Sequence, residues 1–294
     1  MHTESFTGVA RVEPEAQRKF RHDLVGATMT GEHDYRWQDV VHYALAVGAG
    51  PEDVALVYEK FGPRVLPTFA VVPTFPVVVA LNQSLLGDAL GALHLRQRVT
   101  LERPIPPSGR LVTRGVIEGV YDSGSMASSV VTTTTWDSNG HSVFTTEWTV
   151  AFMRDGGFGG ARPPAHERIR MPRRVEDFQV IHEIAPAQPL MYRLLGDHNP
   201  IHVDPEIAAQ AGFARPIVHG LCTYGAIALA ALRTCAAGDP EAVQEIRGEF
   251  RKPVFAGERI ITRGWREGRE VVTSSEEGTA GGRDLQRTCL TLRA

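Results

Sequence analysis

What this 294-residue chain lacks narrows its chemistry first. It has only three cysteines, Cys222, Cys235 and Cys289, and none falls in CxxC spacing. Such a set builds neither a disulfide framework nor a cysteine-ligated zinc cluster, and it suits a reducing, cytoplasmic setting. Cys222 lies within an apolar segment, where a buried inert thiol is expected, because a nucleophilic thiolate needs an accessible, electropositive place. A membrane helix is missing too: the longest nearly apolar run, Phe69 to Leu81, is broken by Pro73 and Pro76 and falls short of the roughly 20 residues that cross a bilayer. Positive charge is not in excess, with 31 Lys and Arg against 34 Asp and Glu and a net charge of -3, which argues against nucleic acid as a partner. Neither phosphate-cradling pattern, GxGxxG nor GxxxxGK followed by Ser or Thr, occurs. The polar stretch Met1 to Arg21 has no apolar centre, so it reads as a tail rather than a secretory signal.

What is present begins with self-similarity. The segment Leu101 to Gly115 is echoed without gaps by Phe250 to Gly264: Pro104 and Pro253, Arg110 and Arg259, Thr113 and Thr262, and Gly115 and Gly264 are each 149 positions apart, close to half of 294. A fixed period of this kind implies a duplicated domain. With 43% hydrophobic residues the chain can bury two modest cores. Between the copies, Arg154 to Pro164 is rich in glycine and proline, which oppose helix and sheet alike. The expected division is residues 1–155, a linker over 156–174, and residues 175–294. The basic run Arg168 to Arg174 reads as a solvated connector rather than an anion site.

Each half opens on an apolar helix and continues in strands. In the first, Phe75 to Leu95 carries a broad apolar stripe at helical spacing, and Tyr35 to Gly50 reads as an amphipathic helix with a glycine stop. Strands follow at Gln97 to Leu101, Leu111 to Tyr121, Ser128 to Asp137 and Ser142 to Met153, rich in Val, Thr and aromatics. In the second, Leu221 to Arg233 is apolar on nearly every face, the mark of a helix buried all round. Strands are expected at Glu245 to Phe250, Arg259 to Trp265, Glu270 to Ser275 and Leu285 to Leu292. The fold class is therefore α+β, an antiparallel sheet around a central apolar helix, made twice.

Ionisable groups concentrate between Tyr192 and Leu221. Asn199 and Pro200 favour a turn, across which Asp197 and His202 can converge. A carboxylate and an imidazole there can hold one water between them and pass protons both ways. Asp204 and Pro205 have the types that open a helix. His219 and Gly220 immediately precede the buried helix, so the Gly220 N–H would leave a helix N-terminus, where free donors and the macrodipole stabilise an anion. A metal held by Asp197, His198, His202 and Asp204 is the competing arrangement, but Pro200 between the two histidines spoils the shared helical face that such spacing needs.

This segment resembles the hydratase-2 signature of the MaoC-like, R-specific enoyl-CoA hydratases. The resemblance covers Gly196, Asp197, Asn199, Pro200, His202, Asp204, Pro205, Ala208, Gly212, Phe213, Pro216, Ile217, His219, Gly220 and Leu221, with Ile201 where the family usually has leucine. It implies a tandem hot-dog fold whose C-terminal half is catalytic and whose N-terminal half, which has no Asp-x-Asn-Pro-x-x-His string, helps to form an acyl tunnel. It also implies roles: Asp197 and His202 bind and activate water, Asn199 orders their loop, and the Gly220 N–H binds the thioester oxygen. The expected activity is hydration of a trans-2-enoyl-CoA to the (3R)-hydroxyacyl-CoA by a homodimer, without metal or other cofactor. A dehydratase acting on acyl carrier protein and a silent acyl-thioester-binding subunit are the alternatives, the latter disfavoured because both Asp197 and His202 are retained.

Overall fold

Strand pairing carries the 149-residue period into three dimensions. A computed structural model describes residues 20–279 and 282–293; the tail expected at the N-terminus lies, for residues 1–19, outside them. The first half contains β1 (Thr28–Tyr35), α1 (Trp37–Ala46), the short α2 (Val54–Val57), α3 (Val71–Ser84), β2 (Ala92–Leu101), β3 (Gly109–Asp122), β4 (Ala127–Asp137) and β5 (Ser142–Phe152). The second contains β6 (Phe178–Glu183), α4 (Gln188–Tyr192), α5 (Pro205–Gln210), α6 (Gly220–Cys235), β7 (Val243–Phe250), β8 (Arg259–Glu267), β9 (Glu270–Glu277) and β10 (Asp284–Leu292). The strands make one antiparallel sheet in the order β1-β3-β4-β5-β2-β7-β10-β9-β8-β6, so the second half repeats the first in reverse across a β2–β7 seam. In that seam Arg98 pairs with Arg247, its own image in the repeat (247 − 98 = 149). The central helices obey the same offset, since α3 starts at Val71 and α6 at Gly220 (220 − 71 = 149). This is the double hot-dog architecture.

The expected all-round burial of the second helix holds: every residue of α6 from Leu221 to Leu232 is buried. The expectation for the first helix does not hold over its full span. Helix α3 stops at Ser84; Leu86 takes φ 58°, Asp88 caps a single turn with Oδ1 accepting from Leu90 N at 3.0 Å, and β2 starts at Ala92. The leucines beyond Ser84 keep helical spacing while belonging to a turn and a strand, which periodicity alone cannot distinguish. Helix α3 lies close to its sheet because two glycines make room: a Cβ on Gly31 would sit 2.8 Å from Val77 Cγ2, and one on Gly115 would sit 2.7 Å from Val77 Cγ1. Val77 and Leu81 are thus buried against the sheet, while Phe75, Val79 and Asn82 are half-buried. Edge strands β1 and β6 were not expected from the sequence, being polar and half-solvated.

The glycine-rich connector is pinned rather than loose. Asp122, only 7% exposed, accepts N–H bonds from Gly124, Gly157 and Gly159 at 2.7, 2.9 and 2.7 Å, and these donors hold its carboxyl below the ordinary range. Further on, the basic run follows the outer face of the second half: Ile169 is buried beside Val272 and Cys289, and Arg174 forks onto Asp177 while also bonding Glu267. Among the described residues no helix is long and apolar enough to cross a membrane.

Candidate functional site

The ionisable segment leaves α4 through a single turn of 3-10 helix and reverses at Gly196, whose φ of 115° a side chain would resist. Asp197 comes next, and its Oδ1 accepts the Asn199 N–H at 3.2 Å, closing the turn. Asn199 in turn caps the short helical turn Pro200–His202, with Oδ1 accepting from Ile201 N at 3.2 Å. That turn aims His202 back at Asp197. Asp204 caps α5, its Oδ1 accepting from Glu206 N and Ile207 N at 2.8 and 3.3 Å, as its residue type suggests.

His202 Nδ1–H donates to the Ile217 carbonyl at 2.8 Å, so in the neutral ring Nε2 keeps its lone pair. Nε2 stands 3.9 Å from Asp197 Oδ2, too far for a direct hydrogen bond and close enough for one water to touch both. Burial raises the Asp197 carboxyl and lowers the His202 imidazole from their ordinary values, each shift opposed by the other's charge. Both shifts favour the uncharged forms.

His219 is a third member that sequence reasoning passed over except as the residue before Gly220. Its ring is 1% exposed and stacks on His202 with centroids 3.7 Å apart and planes 28° apart, while Nε2–H donates to the Asp197 carbonyl at 3.2 Å. It thereby ties the Asp197 loop to the start of α6. The donor atoms of Asp197, His202 and His219 lie within 4.8 Å of one another. Proximity is not convergence, however: lone pairs lie in the ring planes, and two nearly parallel stacked rings direct theirs past a common point. The sequence-level metal set is separated, with Asp204 committed to its cap and His198 exposed.

Gly220 is the first residue of α6, so its N–H has no acceptor within the helix. Phe250 stands against it, and a Cβ at Gly220 would lie 3.2 Å from that ring. Asp197, Asn199, His202 and Gly220 all border one cavity of about 710 Å³. Its walls come from both halves: Phe75, Val78 and Val79 of α3, Trp148 of β5, and Phe250 of β7. Arg251 and Lys252 add positive charge to its lining, a feature not foreseen from the sequence. Cys222 is buried and unpaired, its thiol pushed up to about 12 by burial, in keeping with an inert role.

Three histidines make a pH prediction. Burial holds His94 and His182 down to about 4 and His219 down to about 2, whereas the unfolded chain protonates them near 6.5. Between pH 6.5 and about 4 the unfolded state therefore binds more protons, and stability falls as pH falls. Arg21 and Arg174 hold Asp23 and Asp177 at about 2, so their stabilisation is lost only as pH falls from the ordinary carboxylate value of 3.8 towards about 2, below the histidine window. The unfolding free energy should fall between pH 6.5 and 4.5 by at most about 1.4 kcal/mol per pH unit for each histidine, and the urea midpoint should fall with it. A flat midpoint over that interval would contradict the assigned burial.

A double hot-dog with an apolar cavity ending on a buried carboxylate, an imidazole and a free helix N-terminus defines a protein of the MaoC-like dehydratase class. Comparison with known proteins agrees: residues 167–285 match the MaoC like domain, and residues 33–155 match the MFE-2 hydratase 2 N-terminal domain. Enoyl-CoA hydratase ChsH3 of Mycobacterium tuberculosis is 37% identical over 254 residues, 82% of this chain and 87% of that protein. The peroxisomal enoyl-CoA hydratase 2 of Arabidopsis thaliana is 34% identical over 278 residues, 86% of this chain and 90% of that one. Among solved structures, a MaoC-like dehydratase from Phytophthora capsici gives a TM-score of 0.81 at 28% identity, covering 94% of this chain and 98% of that chain. The chain belongs to the enoyl-CoA hydratase 2 family.

Proposed function

We propose that this hydro-lyase adds water across the double bond of a trans-2-enoyl-CoA to give the (3R)-hydroxyacyl-CoA, with Asp197 and His202 as its acid/base pair. The observation that carries the reading is the 3.9 Å gap between Asp197 Oδ2 and His202 Nε2 beside the Gly220 N–H. A water in that gap gives up a proton to the pair as its oxygen bonds to C3, and the pair returns a proton to C2. Charge that develops on the thioester oxygen meets the Gly220 N–H and the positive end of α6. Asn199 keeps the loop in register through its cap. Neither redox chemistry nor a metal enters these steps.

The test is hydration of an enoyl ladder from four carbons upward, followed by loss of ultraviolet conjugation, on CoA and on acyl carrier protein, with and without prolonged chelation. Turnover on CoA that chelation leaves unchanged is expected. Turnover confined to acyl carrier protein, or restored only by added metal, would replace this reading.

The same proposal gives residues 1–155 the task of accommodating the acyl chain, residues 156–174 that of a linker, and residues 175–294 the chemistry. Support comes from α3, which lines the cavity yet has Ala70 and Val71 where α6 has His219 and Gly220 at the common offset. Val79→Trp should lower the ratio of long-chain to four-carbon kcat/KM by roughly tenfold or more, since single methylenes in an apolar pocket already discriminate. An unchanged ratio would remove α3 from chain-length selection. Val77, although on the same helix, meets Gly31 and Gly115 and is unsuited to this test. A cytoplasmic homodimer completes the proposal, supported by the three unpaired thiols and by exposed Leu190 and Leu194.

A further inference from the structure

One cavity-facing group has no part in these steps. His94 on β2 lies within a wall of rings: stacked on Trp148 with centroids 5.1 Å and planes 6° apart, and tilted against Phe250 at 4.7 Å. Phe250 also stands against Gly220, so His94 lies one ring beyond the thioester position on the way to α3. The backbone is shaped to put it there. Pairing of β2 with β5 slips between His94 and Arg96, inserting Leu95, and consecutive residues Leu93, His94 and Leu95 all border the cavity as a result. Bulges of this kind re-aim side chains next to active sites.

The tautomer is set as well. Nε2–H donates to the Arg96 carbonyl at 2.8 Å, which leaves Nδ1 with its lone pair, free of any hydrogen bond to the described residues, on a ring that borders the cavity. Burial pulls the imidazole down to about 4, so it remains neutral and an acceptor at physiological pH. An acyl tail of methylenes alone would displace water from this nitrogen and offer nothing in return. A tail that carries a donor at the right carbon would satisfy it.

We propose that His94 Nδ1 recognises a hydroxyl group on the acyl chain, a few bonds beyond the reacting C2–C3 pair, and so selects hydroxylated enoyl thioesters. This rests on the hydratase reading and specifies its substrate. His94 touches no reacting atom; it determines specificity.

The experiment compares enoyl-CoA substrates of one medium chain length, unsubstituted or carrying a single hydroxyl at successive carbons beyond C4. The wild-type protein should show, for at least one position, a kcat/KM roughly tenfold above that of the unsubstituted chain, the scale of one buried hydrogen bond. His94→Phe keeps a ring between Trp148 and Phe250 and removes the acceptor, and it should bring that ratio to about one. Hydration of the unsubstituted chain with no preference for any hydroxylated isomer would overturn this proposal alone, as would a preference that survives in folded His94→Phe. No hydration of any chain would overturn the hydratase reading and this proposal with it. If His94→Phe does not fold, the wild-type comparison decides.

Discussion

Asp197→Asn and His202→Ala are each expected to lower turnover by roughly 10²- to 10⁴-fold, the range for positioned proton transfer. The reason lies in the geometry: Nδ1 of His202 is committed to the Ile217 carbonyl, so its only free nitrogen faces Asp197 Oδ2, and one water serves both. Groups that act on one water fail together. The double variant should therefore lose far less than the product of the single losses. His198→Ala is the control, because His198 is exposed and stands outside the cluster that joins Asp197, His202 and His219. Multiplicative losses in the double variant, or a His198→Ala loss equal to that of Asp197→Asn, would show that the pair has been misassigned.

Gly220→Pro should cost on the order of 10²-fold or more in turnover, the scale for removing one oxyanion donor. Proline is well suited to this position in other respects. It is tolerated as the first residue of a helix, and His219 already has the extended backbone that a following proline requires, with φ -56° and ψ 128°. The steric component can be separated, because Gly220→Ala brings the same Cβ to 3.2 Å from the Phe250 ring while keeping the N–H. Alanine should cost far less than proline. Equal losses for the two would assign the effect to Phe250 and remove the Gly220 N–H from the mechanism.

Much of the site was legible because it is nearly contiguous. Gly196 to Leu221 holds the turn, the caps and the helix start in one stretch, and each depends on a residue type with a local reason to be there. The all-apolar α6 and the 149-residue period were equally plain. What escaped notice depended on tertiary context. Strands β1 and β6 close the two ends of the sheet, so half of each faces water and little hydrophobic alternation survives. The end of α3 was hidden because leucines in a turn and in β2 continued its stripe. His219 lacked any signal beyond its motif position, since its role comes from stacking on a ring seventeen residues earlier in the chain (219 − 202 = 17). His94 is still less visible: only the inserted Leu95 aims it inward, and a one-residue slip in pairing leaves no trace in composition.

The β2–β7 seam has a consequence for dilution. Two separate chains that joined along such an edge would form their cavity in a second-order step, and lowering the concentration would empty it. Here Arg98 and Arg247 belong to one polypeptide, so the two walls meet at the high effective concentration set by the connector. That connector is shortened further where Asp122 gathers Gly157 and Gly159. The cavity therefore closes as a first-order event within each molecule, and it persists at concentrations where any larger assembly has come apart.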